Sequence, residues 1–279
     1  MTALVVAALA AIFVETAYPA VRGYLHTALF AQEVEASGDY NDPALAALAR
    51  ERWDRLMSEG QEQIDPGLLD QFTSAYADLL VWESLFYLGT PIQKYPTDLI
   101  MLHQILMEVR PDYIVETGTH LGGSALFFAH VLEGLGLEDS RVITVDLHKK
   151  IDDASAHPLW RQYVEFYHGS STDPGIVAEI QRKVEGKKTL VTLDSNHRAK
   201  HVYRELELYS PLVSAGSYLI VEDTLIDGIP LDPEFGPGPM TALNRFLASG
   251  GDQTFEQDRR RDALLLTQNR GGWLRRKAD

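Results

Sequence analysis

From about residue 98 onward the chain alternates between two hydrophobic periods. Short unbroken apolar runs predict strands at 113–117, 141–146, 163–167, 188–194 and 216–222, and apolar residues at three- and four-residue spacing predict helices near 123–135, 173–185, 198–209 and 239–249. Strands without a polar face need cover on both sides, so the alternation predicts a parallel sheet between two helical layers. Near the end, 254–256 and 262–267 read as two more strands with only Gln257-Asp258-Arg259-Arg260-Arg261 between them. So short a link cannot carry a parallel crossover and predicts an antiparallel pair. The expected class is α/β: a doubly wound, mostly parallel Rossmann-like sheet with an antiparallel C-terminal strand pair.

Ahead of this core the pattern is helical. Leu45, Leu48, Trp53 and Leu56 mark one helix within 42–63, and Pro66 opens another carrying Leu69, Phe72, Tyr76, Leu79 and Trp82, a stripe read first as packing. Pro91 and Pro96 bracket an extended crossing before a helix from Asp98, its expected N-cap, to about Arg110. The predicted organisation is a helical extension over 1–97, serving as oligomer contact or acceptor lid, and a ligand-binding domain over 98–279. An apolar run of 12 residues, Ala3 to Val14, is too short for a stable membrane span. No Lys or Arg precedes it, as a secretion signal would require. It reads as a helix buried against the domain or a second subunit, hence a homo-oligomer.

Composition narrows the partners. A net charge of −15 over 279 residues repels phosphate backbones, which sets nucleic acid aside. The absence of cysteine removes disulfides, thiolate metal sites and cysteine nucleophiles, and fits a cytoplasmic protein.

Chemistry concentrates where strands end. The first core strand runs into Glu116-Thr117-Gly118-Thr119-His120-Leu121-Gly122-Gly123-Ser124 and then a helix, a turn that offers free N–H groups and the positive end of a helix dipole. A dinucleotide fold would show G-x-G-x-x-G with an acid about 20 residues later. Here the glycine spacing differs, and the acid closing the second strand, Asp146, lies 28 positions beyond Gly118. Carboxylates at both strand ends, Glu116 and Asp146, disfavour a pyrophosphate and suit a ligand with a ribose and a positive centre, S-adenosylmethionine.

The later strands end in Asp194-Ser195-Asn196-His197 and Glu222-Asp223-Thr224. Ligands of open α/β sheets sit at that edge, so Asp194, Glu222 and Asp223 are expected to converge there. Three adjacent carboxylates call for a cation, and all-oxygen donors suggest Mg²⁺, with Mn²⁺ or Ca²⁺ in its place. His197 is the expected general base, with His120 and His148 as rivals on the same rim.

These residues carry a resemblance. From Leu88 to the C-terminus the chain resembles the cephalosporin hydroxylase / rhamnosyl O-methyltransferase family and its macrolide-sugar relatives. The matching blocks are Leu88-Gly89-Thr90-Pro91 with Pro96-Thr97-Asp98-Leu99, the turn at 115–124, Val145-Asp146-Leu147, Gly169 to Asp173, Leu193 to His197, Val221 to Thr224, Gly236 to Met240, and Gly271 to Arg276. The resemblance implies a class I methyltransferase fold over 98–279. It implies methyl transfer from S-adenosylmethionine, with a divalent metal, to a hydroxyl of a small molecule, usually a glycoside. Glu116, Gly118, Thr119, Gly122, Ser124, Asp146 and Asp194 would then contact the cofactor, and Ser170 or Ser171 would approach its adenine. Asp194, Glu222 and Asp223 would be metal ligands and His197 the base. One departure is Asn196, where many members read a second acid. Other expectations left open are a catechol-like or antibiotic-core acceptor, an oxidative tailoring enzyme, and a non-catalytic cofactor-binding subunit.

Overall fold

A computed structural model describes residues 43–59, 65–229, 231 and 234–278. The chain divides into two compact units, Met1–Ile64 and Asp65–Asp279. In the first, helix α1 (Pro43–Glu59) is described, and the apolar run 3–14 lies outside the described residues. Among the described residues no helix is long and apolar enough to cross a membrane.

The second unit opens with α2 (Pro66–Asp78), where the Asp65 carboxylate accepts from Gly67 N at 2.9 Å and Pro66 takes the first turn. A small hairpin, β1 (Phe86–Tyr87) with β2 (Thr90–Pro91), leads to α3 (Pro96–Val109). Asp98 is not the cap expected of it. Tyr95 occupies that position, and the Asp98 carboxylate lies buried in the first turn, accepting from Gln268 N at 2.8 Å. Alternation then proceeds through β3 (Tyr113–Thr117), α4 (Gly123–Gly134), β4 (Arg141–Asp146), α5 (Asp152–Ala156), α6 (Pro158–Tyr163) and β5 (Val164–His168). It continues through α7 (Pro174–Val184), β6 (Thr189–Leu193), α8 (Ala199–Tyr209), β7 (Tyr218–Val221), α9 (Leu225–Gly228) and α10 (Pro239–Phe246).

The sheet order is β5-β4-β3-β6-β7-β9-β8, with β8 (Phe255–Gln257) and β9 (Trp273–Arg276) completing it. Strands β3 to β7 run parallel, while β9 is antiparallel to both β7 and β8. The antiparallel pair is present, but its second member is 273–276, not 262–267. Tertiary contacts override the apolar run. Arg259–Asp262 forms a 3₁₀ turn, Leu265 is left-handed, and buried Gln268 and Asn269 bond to distant backbone instead of a ladder.

Apolar side chains of β3, β4, β6, β7 and β9 interlock with Val177 and Ile180 of α7, Val202 and Leu206 of α8 and Leu243 of α10. On the other side α3 and α4 pack together, contributing buried Leu102, Ile105, Phe128 and Leu132. Both faces are thus covered, which explains why the strands read as unbroken apolar runs.

Strands β3 and β6 lie side by side at the switch in strand order, where ligands of such sheets bind. The structure gives Gly118 a specific reason: its φ is +86°, and an added Cβ would stand 1.9 Å from the Asp194 carbonyl oxygen. Gly118→Ala is therefore expected to destabilise the protein by more than about 2 kcal/mol in urea denaturation, since backbone cannot yield as a side-chain tip does. A change within about 0.5 kcal/mol, typical of ordinary surface substitutions, would contradict that packing.

Candidate active site

The carboxyl ends of β3, β4, β6 and β7 open into one cavity of about 680 Å³, within the range of roughly 300–1,000 Å³ usual for small-molecule sites. Of the sequence-predicted residues, Gly118, Thr119, Ser124, Asp146, Ser170, Ser171, Asp194, His197 and Asp223 line it. Glu116, Gly122 and Glu222 do not, although Glu116 and Glu222 are buried among the residues that carry its floor. Gly122, left-handed at φ 90°, starts α4 where a Cβ would meet Ala154 and Trp160.

At one end, the Thr144 hydroxyl donates to Glu116 Oε2 at 2.6 Å, while Glu116 Oε1 has no hydrogen-bond partner. Burial pushes the Glu116 carboxyl up to about 7 despite neighbouring hydroxyls. Asp146 is held from both sides: His120 N donates to Oδ2 at 2.8 Å and His148 N to Oδ1 at 2.7 Å. Both rival histidines are thereby tied to the Asp146 end. Ser171 Oγ lies 3.1 Å from His201 Nε2, as does Ser195 Oγ, and Ser195 also donates to buried Glu205 at 2.7 Å.

At the other end, His197 Nε2 stands 3.3 Å from Asp223 Oδ2 and 4.0 Å from Asp194 Oδ1. Ligand atoms of Asp194, His197 and Asp223 lie within 4.8 Å of one another, so the two carboxylates can take a divalent cation with the imidazole beside it. Asp223 sits at φ 56°, a left-handed conformation held by Asn269, whose side-chain oxygen accepts from Asp223 N at 3.0 Å. Glu222, expected as a third ligand, lies beside Asp194 and shares Lys94 with it. Its carboxylate accepts from the Thr192 hydroxyl and from Lys94, whose ammonium also reaches Asp194 Oδ2 at 2.9 Å.

Burial raises the carboxyls of Asp194, Glu222 and Asp223 above their ordinary range, and Lys94 opposes that in each. Desolvation pulls the Lys94 ammonium down, but Asp194 and Glu222 outweigh it and hold it charged. The sequence did carry a signal for Lys94, the one Lys or Arg between Arg55 and Arg110. Glu205 was readable too, as an acid on the stripe formed by Val202, Leu206 and Tyr209 of α8. Asn196 is exposed, and its side-chain oxygen accepts from Arg198 N at 3.0 Å, closing a local turn.

A family model described as Rhamnosyl O-methyltransferase/CmcI matches residues 80–277. A rhamnosyl O-methyltransferase of Mycobacterium tuberculosis is 37% identical over 208 residues, covering 73% of this chain and 80% of that protein. A CmcI structure described as apo superposes with a TM-score of 0.54 at 20% identity, over 71% of this chain and 78% of that one. A CmcI structure described as Mg-SAM does so with a TM-score of 0.51 at 20% identity, over 70% and 78%.

Glu116 binds its proton more tightly when folded, so folding takes up a proton between the ordinary value of 4.5 and about 7. Its contribution therefore falls as pH rises through that window and levels off above it. Melting of the ligand-free protein across this range is expected to show a shallower decline in Glu116→Gln than in wild type. Equal slopes would remove Glu116 as the source.

Proposed function

The chain belongs to the Rhamnosyl O-methyltransferase/CmcI family, and from that premise we propose that it methylates a hydroxyl of a sugar or glycosylated small molecule, with S-adenosylmethionine as donor and a divalent cation. The fold is the class I methyltransferase fold. One observation carries the reading: a glycine turn flanked by Glu116 and Asp146 shares a single cavity with the Asp194–His197–Asp223 cluster.

The residues fit both groups. Glu116 Oε1, buried and unpartnered beneath the turn, suits a ligand donor or a nearby positive centre. Asp146 is oriented by two backbone N–H groups and keeps lone pairs for ribose hydroxyls. Ser170 and Ser171 edge the same end, where the adenine would lie, with Thr119, Gly122 and Ser124 on the turn opposite. Asp194 and Asp223, with Glu222 beside them, would hold the cation, with Mg²⁺ as first choice and Mn²⁺ or Ca²⁺ as substitutes.

S-adenosylmethionine supplies an electrophilic methyl on a sulfonium, and a divalent cation supplies Lewis-acid charge that makes an acceptor hydroxyl more acidic. The protein's own task is then placement and one proton. His197 takes the hydroxyl proton on Nε2, and Asp223 beside it stabilises the imidazolium that results. Trp82 and Ile226 wall the cavity with apolar surface, so water is excluded from one flank of the acceptor. Trp82 and Lys94 come from the segment before residue 98, which supports assigning it an acceptor-lid role. A non-haem iron oxygenase would use two histidines and one carboxylate, whereas this cluster offers one histidine and two carboxylates.

Calorimetry is expected to show S-adenosylmethionine binding to wild type and to His197→Ala alike, while His197→Ala loses about 10²–10⁴ in turnover of a rhamnoside acceptor. No heat with S-adenosylmethionine would end the donor assignment, and full turnover in excess chelator would end the metal assignment. Because an aspartate can close the same turn, Asn196→Asp should leave turnover within about threefold of wild type.

A further inference from the structure

Glu205 lies on α8 with 0% exposure, and among the described residues its Oε2 has no hydrogen-bond partner. An acid held this way costs stability, so its place in the fold has another reason. His201, Glu205 and Tyr209 stand four residues apart on that helix, and each bonds to one or both of two serines. Ser195 belongs to the loop after β6 and Ser171 to the loop after β5, and both line the cavity together with His201. Tyr209 donates its hydroxyl to the Ser171 carbonyl at 2.7 Å, which pins the second loop to the helix.

The hydrogens on these groups can be placed by elimination. Ser195 Oγ donates to Glu205 Oε1 at 2.7 Å, so its one hydrogen is spent. His201 Nε2 faces Ser195 Oγ at 3.1 Å and Glu205 Oε1 at 3.5 Å, and both can only accept from it. Nε2 therefore carries a hydrogen whether the ring is neutral or charged. Ser171 Oγ, 3.1 Å from the same Nε2, can accept there but not donate. Its own hydrogen has no other partner among the described residues and is left for the cavity. Ser170 is engaged differently: its Oγ accepts from Thr172 N at 3.2 Å and lies 3.0 Å from Thr172 Oγ1, inside its own loop.

Resting on the S-adenosylmethionine reading above, we propose that Glu205 and His201 are positioning residues that fix the Ser171 hydroxyl as a hydrogen-bond donor, so that this end of the cavity selects a purine presenting an unprotonated ring nitrogen. The order runs from Glu205 through Ser195 and His201 to Ser171. Without the Glu205 acceptor, Ser195 would be free to donate to Nε2, the ring to carry its hydrogen on Nδ1, and Ser171 to turn its hydrogen back to His201. The donor in the cavity would then be lost although no residue touching the purine had changed.

NMR of the histidine ring nitrogens in the ligand-free protein, with the His201 signals identified by their loss in His201→Gln, tests the hydrogen order. A hydrogen on Nε2 is expected, and a ring with bare Nε2 would overturn the proposal while leaving the cofactor reading standing. Calorimetry with S-adenosylhomocysteine, and with analogues in which carbon replaces the purine N1, N3 or N7 in turn, tests the selection. The analogue lacking the nitrogen that Ser171 meets is expected to bind wild type about tenfold or more weaker, because a buried hydroxyl is left unpaired. That loss should shrink to within about threefold in Ser171→Ala and in Glu205→Met, which is close in volume but offers no acceptor oxygen. Each ratio compares two ligands on one protein, so a general weakening of the fold cancels. Equal binding of all these ligands by wild type, or a tenfold loss that persists in either variant, would overturn the proposal. The wild-type ring and Ser171→Ala require no change at Glu205, so both tests stand even if Glu205→Met does not fold. No binding of S-adenosylhomocysteine by wild type would overturn the cofactor reading and the proposal together.

Discussion

Two backbones meet at the centre of this site, and almost everything else is arranged around that meeting. The end of β3 passes so close to the end of β6 that Gly118 has no room for a side chain beside the Asp194 carbonyl. Asp194 N in turn donates to Thr117 O at 3.0 Å, so the two strand ends are bonded as well as abutted. Thr117 belongs to the strand that feeds the glycine turn, and Asp194 begins the loop that carries His197. The glycine-turn half and the Asp194–His197 half of the cavity are therefore joined through a few backbone atoms, the pre-organisation that methyl transfer between two bound partners requires.

Electrostatics around Asp194, Glu222 and Asp223 is governed by burial more than by attraction. A unit charge pair at 4 Å gains about 4 kcal/mol at an effective dielectric of 20, while desolvation costs several kcal/mol per ion. Lys94 with Asp194 and Glu222 is thus close to an even exchange in stability. Its consequence is placement: Lys94 opposes the upward push that burial gives these acids and fixes where Asp194 Oδ2 and Glu222 Oε2 point. A second device acts on Asp223. The irregular stretch after Arg261 uses Asn269 to hold the left-handed Asp223 at its amide, and Gln268 to hold Tyr95 N at 2.8 Å.

Much of this was legible along the chain. The central strands announce themselves as unbroken apolar runs because helices cover both faces, and their ends name Asp146, Asp194, His197 and Asp223 as the rim. The C-terminal strand was not legible, because β9 reads Trp273-Leu274-Arg275-Arg276 and hides its core half behind two arginines. One of them, Arg276, is spent on the Val213 carbonyl at 2.6 Å, a partner no local pattern reveals. The more apolar 263–266 was the natural choice on local grounds, yet it became the connection that supports Asp223 and α3.

Sequence by itself determined the layer order, the sheet edge that carries chemistry and the family to which the chain belongs, because periodicity and strand-end residues are properties of neighbours along the chain. Only the tertiary structure decided how the acids are shared. Lys94 lies 100 positions from Asp194 and 128 from Glu222, and an ion pair across such separations is set by which strand ends the fold brings together. The same holds for Gly118. Its spacing marks a ligand turn, but the atom that forbids a side chain there belongs to Asp194, the residue just past β6 and 76 positions away.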